Sequence, residues 1–90
     1  MPLGGGRYEV DAEMSVGELF DRLDYEDPED DEELRYKLLN EWTYEQFDAI
    51  PRERDTFRYH DLKVRISKMQ QTRILRLTVR LEPEEGGGQA

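Results

Sequence analysis

The side chains with the most chemistry to offer are carboxylates gathered in one stretch, Asp24-Tyr-Glu-Asp-Pro-Glu-Asp-Asp-Glu-Glu33, where eight of ten residues are acidic. Hard divalent cations such as Mg²⁺ and Ca²⁺ take carboxylate oxygens, so Asp24, Glu26, Asp27, Glu29, Asp30 and Asp31 form a candidate metal-binding loop. The spacing lacks the glycine and the terminal bidentate glutamate of a calcium-loop signature. A run of like charges also repels itself into a solvated loop. Asp30 to Glu33 have a third use, as negative charge in the first turn of a following helix.

Other reactive groups are scarce. With no cysteine, the chain has no disulfide framework, thiolate nucleophile or thiolate zinc site. His60 is the single histidine, placed on an expected hairpin connection with no nucleophile motif nearby. Both glycine triplets lie at the ends, and neither leads into a helix in the phosphate-binding pattern. Carboxylates on a flexible acidic loop lack the water-excluded setting that separates the pKa values of a catalytic pair. The expectation is a protein that is not an enzyme.

The basic residues are placed differently. Residues 1–51 hold 16 acids and 4 bases, whereas residues 52–80 hold 3 acids and 9 bases, within a net charge of −9. In the second part Arg58, Lys63, Arg65, Arg73, Arg76 and Arg80 alternate with apolar residues, which predicts a basic face on a sheet. Arg58, Lys63, Arg65, Arg76 and Arg80 are candidates for binding an acidic partner, or the acidic half of a second copy in a homodimer; a solvated face is the plainer reading. The overall negative charge argues against nucleic acid as a partner.

Several elements must position these groups. Arg7 to Val10 predicts a short strand with Tyr8 and Val10 on one face. Ser15-Val-Gly-Glu18 has capping-box form, with Met14 and Leu19 at the hydrophobic-staple positions. Val16, Leu19, Phe20 and Leu23 then share one helical face, weakened slightly by Gly17. Beyond the acidic stretch, Leu34, Leu38, Leu39, Trp42 and Phe47 predict a second amphipathic helix that ends before Pro51. From Thr56 the period becomes two, with Phe57 and Tyr59, then Leu62, Val64 and Ile66, then Leu75, Leu77, Val79 and Leu81. His60-Asp61 and Gln70-Gln71 are the expected hairpin connections. Broken alternation at Lys68-Met69 and Ile74-Leu75 predicts a bulge.

The fold class expected from this order is α+β: a short N-terminal strand, two helices, then a three-stranded antiparallel meander with the helices packed on one face. Ninety residues make one domain with little room for a deep cavity. Residues 1–6 read as a linker, 7–82 as the domain and 83–90 as a flexible tail. No apolar run reaches the roughly 20 residues of a membrane span, and the start lacks signal-peptide character, so this segment is expected to be soluble and not inserted in a membrane.

The ordered pieces resemble a known family, the transporter-associated domain of the CorC/HlyC type, found at the C-terminus of haemolysin-related membrane proteins with paired CBS motifs. Tyr8-Glu-Val-Asp-Ala12 stands where the family has an aromatic, a hydrophobic and Val-Asp-Gly, and Ser15 to Leu23 stands at its first helix. Phe47-Asp-Ala-Ile-Pro51 resembles Leu-Gly-Arg-Ile-Pro, and Asp55-Thr-Phe-Arg-Tyr59 resembles Gly-Asp-x-Phe-x-Tyr. Leu62 to Met69 resembles a strand ending in x-Val-x-x-Met, and Arg73 to Val79 resembles Arg-Ile-x-x-Val-x-Ile. Ala12, Asn40, Glu41, Asp48 and Gln71 depart from the family by standing where glycines are common.

The resemblance implies a non-catalytic regulatory or docking domain on the cytoplasmic side of the bacterial inner membrane. Its implied partners are the parent transporter's CBS and transmembrane domains, and its implied process is magnesium and cobalt efflux. The family's fold is also similar to part of a flavin-binding domain, which implies FAD as a cofactor, although no phosphate loop here would hold one. A bound Mg²⁺ or Ca²⁺ at residues 24–33 is the other cofactor expectation, with cation sensing as its function.

Overall fold

Alternating apolar residues in the second half and near the start need a common layer to bury one face, and they find it in a single antiparallel sheet. The computed structural model describes residues 7–82 in full and residues 2–4 by their backbone. Its strands are β1 Pro2–Gly4, β2 Arg7–Asp11, β3 Thr56–Tyr59, β4 Leu62–Gln70 and β5 Arg73–Leu81, arranged in the order β1-β2-β5-β4-β3. Three helices, α1 Val16–Leu23, α2 Glu32–Arg35 and α3 Leu39–Tyr44, complete the elements of the described residues. Their Val16, Leu19, Phe20, Leu34, Leu39 and Trp42 form one buried cluster with Val10, Leu62, Val64, Ile66, Leu77 and Val79 of the sheet. Complete burial of each such side chain contributes about 1.5–3 kcal/mol, so this cluster is the main source of cohesion.

The expected α+β class is present, with one strand more than the sequence implies. Pro2–Gly4, within the stretch read as a linker, pairs antiparallel with β2 through Pro2 and Tyr8. An edge strand tolerates proline because its missing N–H faces no second neighbour, and glycine hides the period-two signal. Residues 83–90, read as a tail, lie outside the described residues.

The single helix expected from Leu34 to Phe47 is two short ones. Between them the backbone bonds elsewhere: the Val16 N–H donates to the Lys37 carbonyl at 2.8 Å, Leu39 N–H to Met14 at 2.8 Å and Asn40 N–H to Ala12 at 2.9 Å. Ser15 and Leu38 form an isolated antiparallel bridge. Backbone groups satisfied by a distant segment cannot also continue a helix, so tertiary bonding overrides the helical spacing. Phe47 lies past the end of α3 and packs edge-on against Phe57.

The predicted irregularity falls in the β4–β5 ladder. Ile66 faces Leu77, Lys68 faces Arg76 and Met69 faces Ile74, which leaves Ser67 and Leu75 without direct partners. Each extra residue moves the following side chains to the other face. Ile74 is therefore buried where Leu75 was expected, and Leu75 is half-buried. Leu81, also expected in the core, is exposed at the end of its strand. His60-Asp61 joins β3 to β4 as expected, while β4 and β5 are joined by Gln71-Thr72, one residue later. The first residue of each turn has positive φ, 52° at His60 and 58° at Gln71.

Candidate functional site

The acidic stretch begins where α1 stops. Asp24 caps the helix in the left-handed conformation, and Tyr25 turns back so that its ring meets Phe20 edge-on at 5.1 Å. Asp27 then organises the loop. Its carboxylate accepts the Glu29 N–H at 2.9 Å, the Asp31 N–H at 3.0 Å and the Tyr59 hydroxyl of β3 at 2.6 Å. Asp31 accepts the Glu33 and Leu34 amides and so caps α2, the role that negative charge at a helix start allows. Glu29 lies 2.9 Å from Nε2 of His60, beside the Tyr59 contact.

These bonds set the local electrostatics. Burial pushes the Asp27 carboxyl up, but the Tyr59 hydroxyl and the two amides outweigh it and hold it below its ordinary value. The same pair acts oppositely on Tyr59, whose hydroxyl is pushed far up by burial and by the anion it donates to. The Tyr25 hydroxyl is also raised, first by burial, and no bond of ordinary geometry reaches it among the described residues.

Of the six expected ligands, Asp27, Glu29 and Asp31 are thus engaged by the protein, while Asp24, Glu26 and Asp30 carry no such side-chain bond among the described residues. An open groove of about 520 Å³ is lined by Asp21, Asp24, Glu26, Asp27, Asp30 and Asp31 with Tyr25 and Arg35. Arg35 bonds both Asp21 oxygens there, at 3.0 and 3.1 Å. Among the described residues no three histidine, aspartate or glutamate side chains converge as metal ligands do. The loop therefore offers concentrated negative charge and not a preformed coordination shell. Such a groove also repels the pyrophosphate of a flavin dinucleotide, so its donor set does not fit FAD.

The basic candidates lie on the sheet face opposite the helices. The cross-strand pairs Arg58–Lys63, Lys63–Arg80 and Arg80–Arg7 place four cations in one row from β3 to β2. Neighbouring strands are about 4.8 Å apart, so like charges so aligned destabilise the sheet unless compensated. Glu82 compensates one end: its carboxylate lies 3.0 Å from Arg58 and 3.6 Å from Arg80, and its carbonyl accepts a further Arg58 N–H. Arg76 approaches Glu9 at 3.8 Å and Arg73 pairs with Glu13 at 2.9 Å. Lys63 and Arg65 have no ion pair among the described residues.

Sequence reasoning missed Arg7 and Arg54 on this side of the molecule. Arg7 was accessible to it, because Tyr8 and Val10 facing inward force Arg7 and Glu9 outward. Arg54 precedes β3 with φ of 81° and is brought in by a bond from its N–H to the Ile66 carbonyl at 2.8 Å, which no local pattern signals.

The molecule is therefore an α+β domain with helices on one sheet face, an acidic groove at the helical side and a cationic opposite face. The family model of the CorC_HlyC transporter-associated domain matches residues 2–83, and the chain belongs to that family. The family is described as a transporter-associated domain.

Three solved structures share the fold, each with a TM-score of 0.73. A CorC_HlyC domain from Haemophilus ducreyi is 17% identical, with 93% of this chain and 98% of that one covered. The transporter-associated domain of a Xylella fastidiosa Temecula1 hemolysin, solved in complex with Mg²⁺ and Mn²⁺, is 20% identical over 90% and 94%. The transporter-associated domain of a CBS domain protein from Porphyromonas gingivalis is 23% identical over 92% and 94%. No curated protein sequence matches the chain. Among the described residues no helix is long and apolar enough to cross a membrane.

Proposed function

We propose that this domain is a regulatory docking module of a CBS-pair membrane transporter, working at the cytoplasmic side of a bacterial inner membrane and modulating magnesium or cobalt efflux. Residues 7–82 form the working unit, and its basic sheet face is the docking surface. The observation that carries the reading is the cationic row of Arg58, Lys63, Arg80 and Arg7, aligned across four strands of a chain that is otherwise strongly acidic. Like charges aligned in this way favour contact with an acidic surface that relieves their repulsion. That surface belongs to the CBS or transmembrane part of the parent, or to a second copy. The experiment replaces Arg58, Lys63 and Arg80 together with glutamate in the full-length parent, a set that leaves Arg65 in place. Weaker subunit or domain association with altered transport is expected; unchanged oligomerisation and unchanged transport would remove this reading.

A second reading, cation sensing by residues 24–33, is favoured by the Mg²⁺ and Mn²⁺ complex of the Xylella relative and by the acidic groove of this chain. Because Asp27 is already bonded by Tyr59 and two amides, a cation would have to draw Asp24, Glu26 and Asp30 together first. Amide NMR spectra of chelator-treated protein, recorded during titration with Mg²⁺ and then Ca²⁺, decide it. Saturable shifts confined to residues 24–35, lost when Asp27, Asp30 and Asp31 become asparagine, are expected. Non-saturating shifts at every carboxylate reduce the effect to counterion screening.

A further inference from the structure

Seven of the thirteen lysine and arginine side chains make ion pairs with carboxylates of the described residues; Arg7, Arg52, Arg54, Lys63, Arg65 and Lys68 do not. In a chain with 22 acidic residues, carboxylate partners are abundant, so the placement of the unpaired cations is informative. Three of them, Arg7, Arg54 and Arg65, line one cleft of about 430 Å³ with Ser67 and Thr78. Arg65 and Thr78 are direct cross-strand partners on β4 and β5, and Arg7 enters from β2.

Arg54 arrives by a strained route. Its φ of 81° lies in the left-handed region, where a residue bearing a side chain is strained relative to the right-handed one. Two backbone bonds hold it there, Arg54 N–H to the Ile66 carbonyl at 2.8 Å and Ile66 N–H to the Asp55 carbonyl at 2.9 Å. Strain retained beside a cleft, at a residue that supplies charge to it, points to use of that charge. Two carboxylates stand close by: Glu53 lines the cleft but accepts the Met69 N–H at 2.8 Å, and Glu9, the partner of Thr78 on β2, accepts the Ser67 hydroxyl at 3.4 Å and lies 3.8 Å from Arg76; the three guanidinium groups outnumber them.

We propose that this cleft is an oxyanion site that takes the phosphate of a monoester, carried by a soluble ligand or by a lipid headgroup. Guanidinium forks match phosphate oxygens in bidentate pairs, and the Thr78 hydroxyl is placed to supply a further donor. The proposal goes beyond docking, since it gives a ligand to three arginines that have no ion pair among the described residues.

The test titrates the 90-residue chain with glycerol 3-phosphate at constant ionic strength, balanced with chloride, and follows the arginine Nε–H and the Ser67 and Thr78 amide resonances. Arg54→Gln and Arg65→Gln are compared with Lys63→Gln, which changes the same face outside the cleft. Saturable shifts weakened about tenfold or more by both arginine variants, and little by the lysine variant, support a soluble ligand. Saturation seen only with phosphatidate-containing vesicles, with the same variant pattern, supports the headgroup. Linear shifts equal to those in chloride, or binding indifferent to Arg54 and Arg65, overturn the proposal. Neither result depends on transporter assembly, so the docking reading stands or falls separately.

Discussion

Tyr59→Phe isolates the bond that fastens the acidic loop to the sheet. The hydroxyl donates to Asp27 at 2.6 Å, while the ring separately stacks near Phe20 at 6.2 Å and meets Trp42 edge-on at 5.2 Å. Phenylalanine keeps the ring contacts and removes the donor alone. A hydrogen bond to a charged group contributes about 1.5–3 kcal/mol, but both side chains are half-buried and water can replace part of the loss. The expected cost is therefore about 1–2 kcal/mol near neutral pH, or roughly 4–8 °C in melting temperature for each kcal/mol. Urea unfolding of wild type, Tyr59→Phe, Asp27→Asn and the double variant gives the coupling energy, expected at about 1 kcal/mol.

The pH dependence of that cost has a definite sign. The folded Asp27 carboxyl titrates below its ordinary value of 3.8, so its contribution is complete above that value and is lost as pH falls through the folded one. Tyr59 is raised above its ordinary value of 10.0, so its contribution is complete below that value and declines as pH rises past it. The stability gap between wild type and Tyr59→Phe should hold through the neutral range and narrow at both extremes. A gap that stays constant into acid below the Asp27 range, or a coupling energy of zero, refutes the assignment of this bond as the fastening.

Three further substitutions test the packing. Gly17→Ala should not stabilise α1 despite alanine's advantage of about 1 kcal/mol, because the added carbon would meet Arg35 Cβ at 3.0 Å and its carbonyl oxygen at 3.1 Å; thermal melts should show a net loss of up to about 2 kcal/mol. Thr43→Val should leave stability unchanged or raise it by up to about 1 kcal/mol in urea unfolding, since the buried Thr43 hydroxyl has no partner among the described residues. Gln71→Gly should stabilise by up to about 1 kcal/mol in thermal denaturation, because φ of 58° suits glycine and the side chain is exposed.

Much of this was decided by local chemistry. Ser15 caps α1 by accepting the Glu18 N–H at 3.1 Å, as its position before an apolar helical stripe requires, although the Glu18 carboxylate turns to Arg22 and leaves the capping box half formed. Period-two alternation set Leu62, Val64 and Ile66 inward and Lys63 and Arg65 outward, because side chains on a strand can face only two ways. Concentrated acid between 24 and 33 forced an exposed loop whatever its contacts.

Tertiary structure decided what those elements do to one another. The expected second helix broke because residues 37–40 found backbone partners in residues 12–16, a contact between segments that no local window contains. Ile74 displaced Leu75 from the core because a bulge is a property of the paired ladder, not of either strand alone. Tyr59 gave the acidic loop its fastening from 32 residues away, and Arg54 joined Arg7 and Arg65 only because a strained residue bonded to Ile66. Periodicity fixes which way a side chain faces; which distant atom it meets is set by the packing of all the elements together.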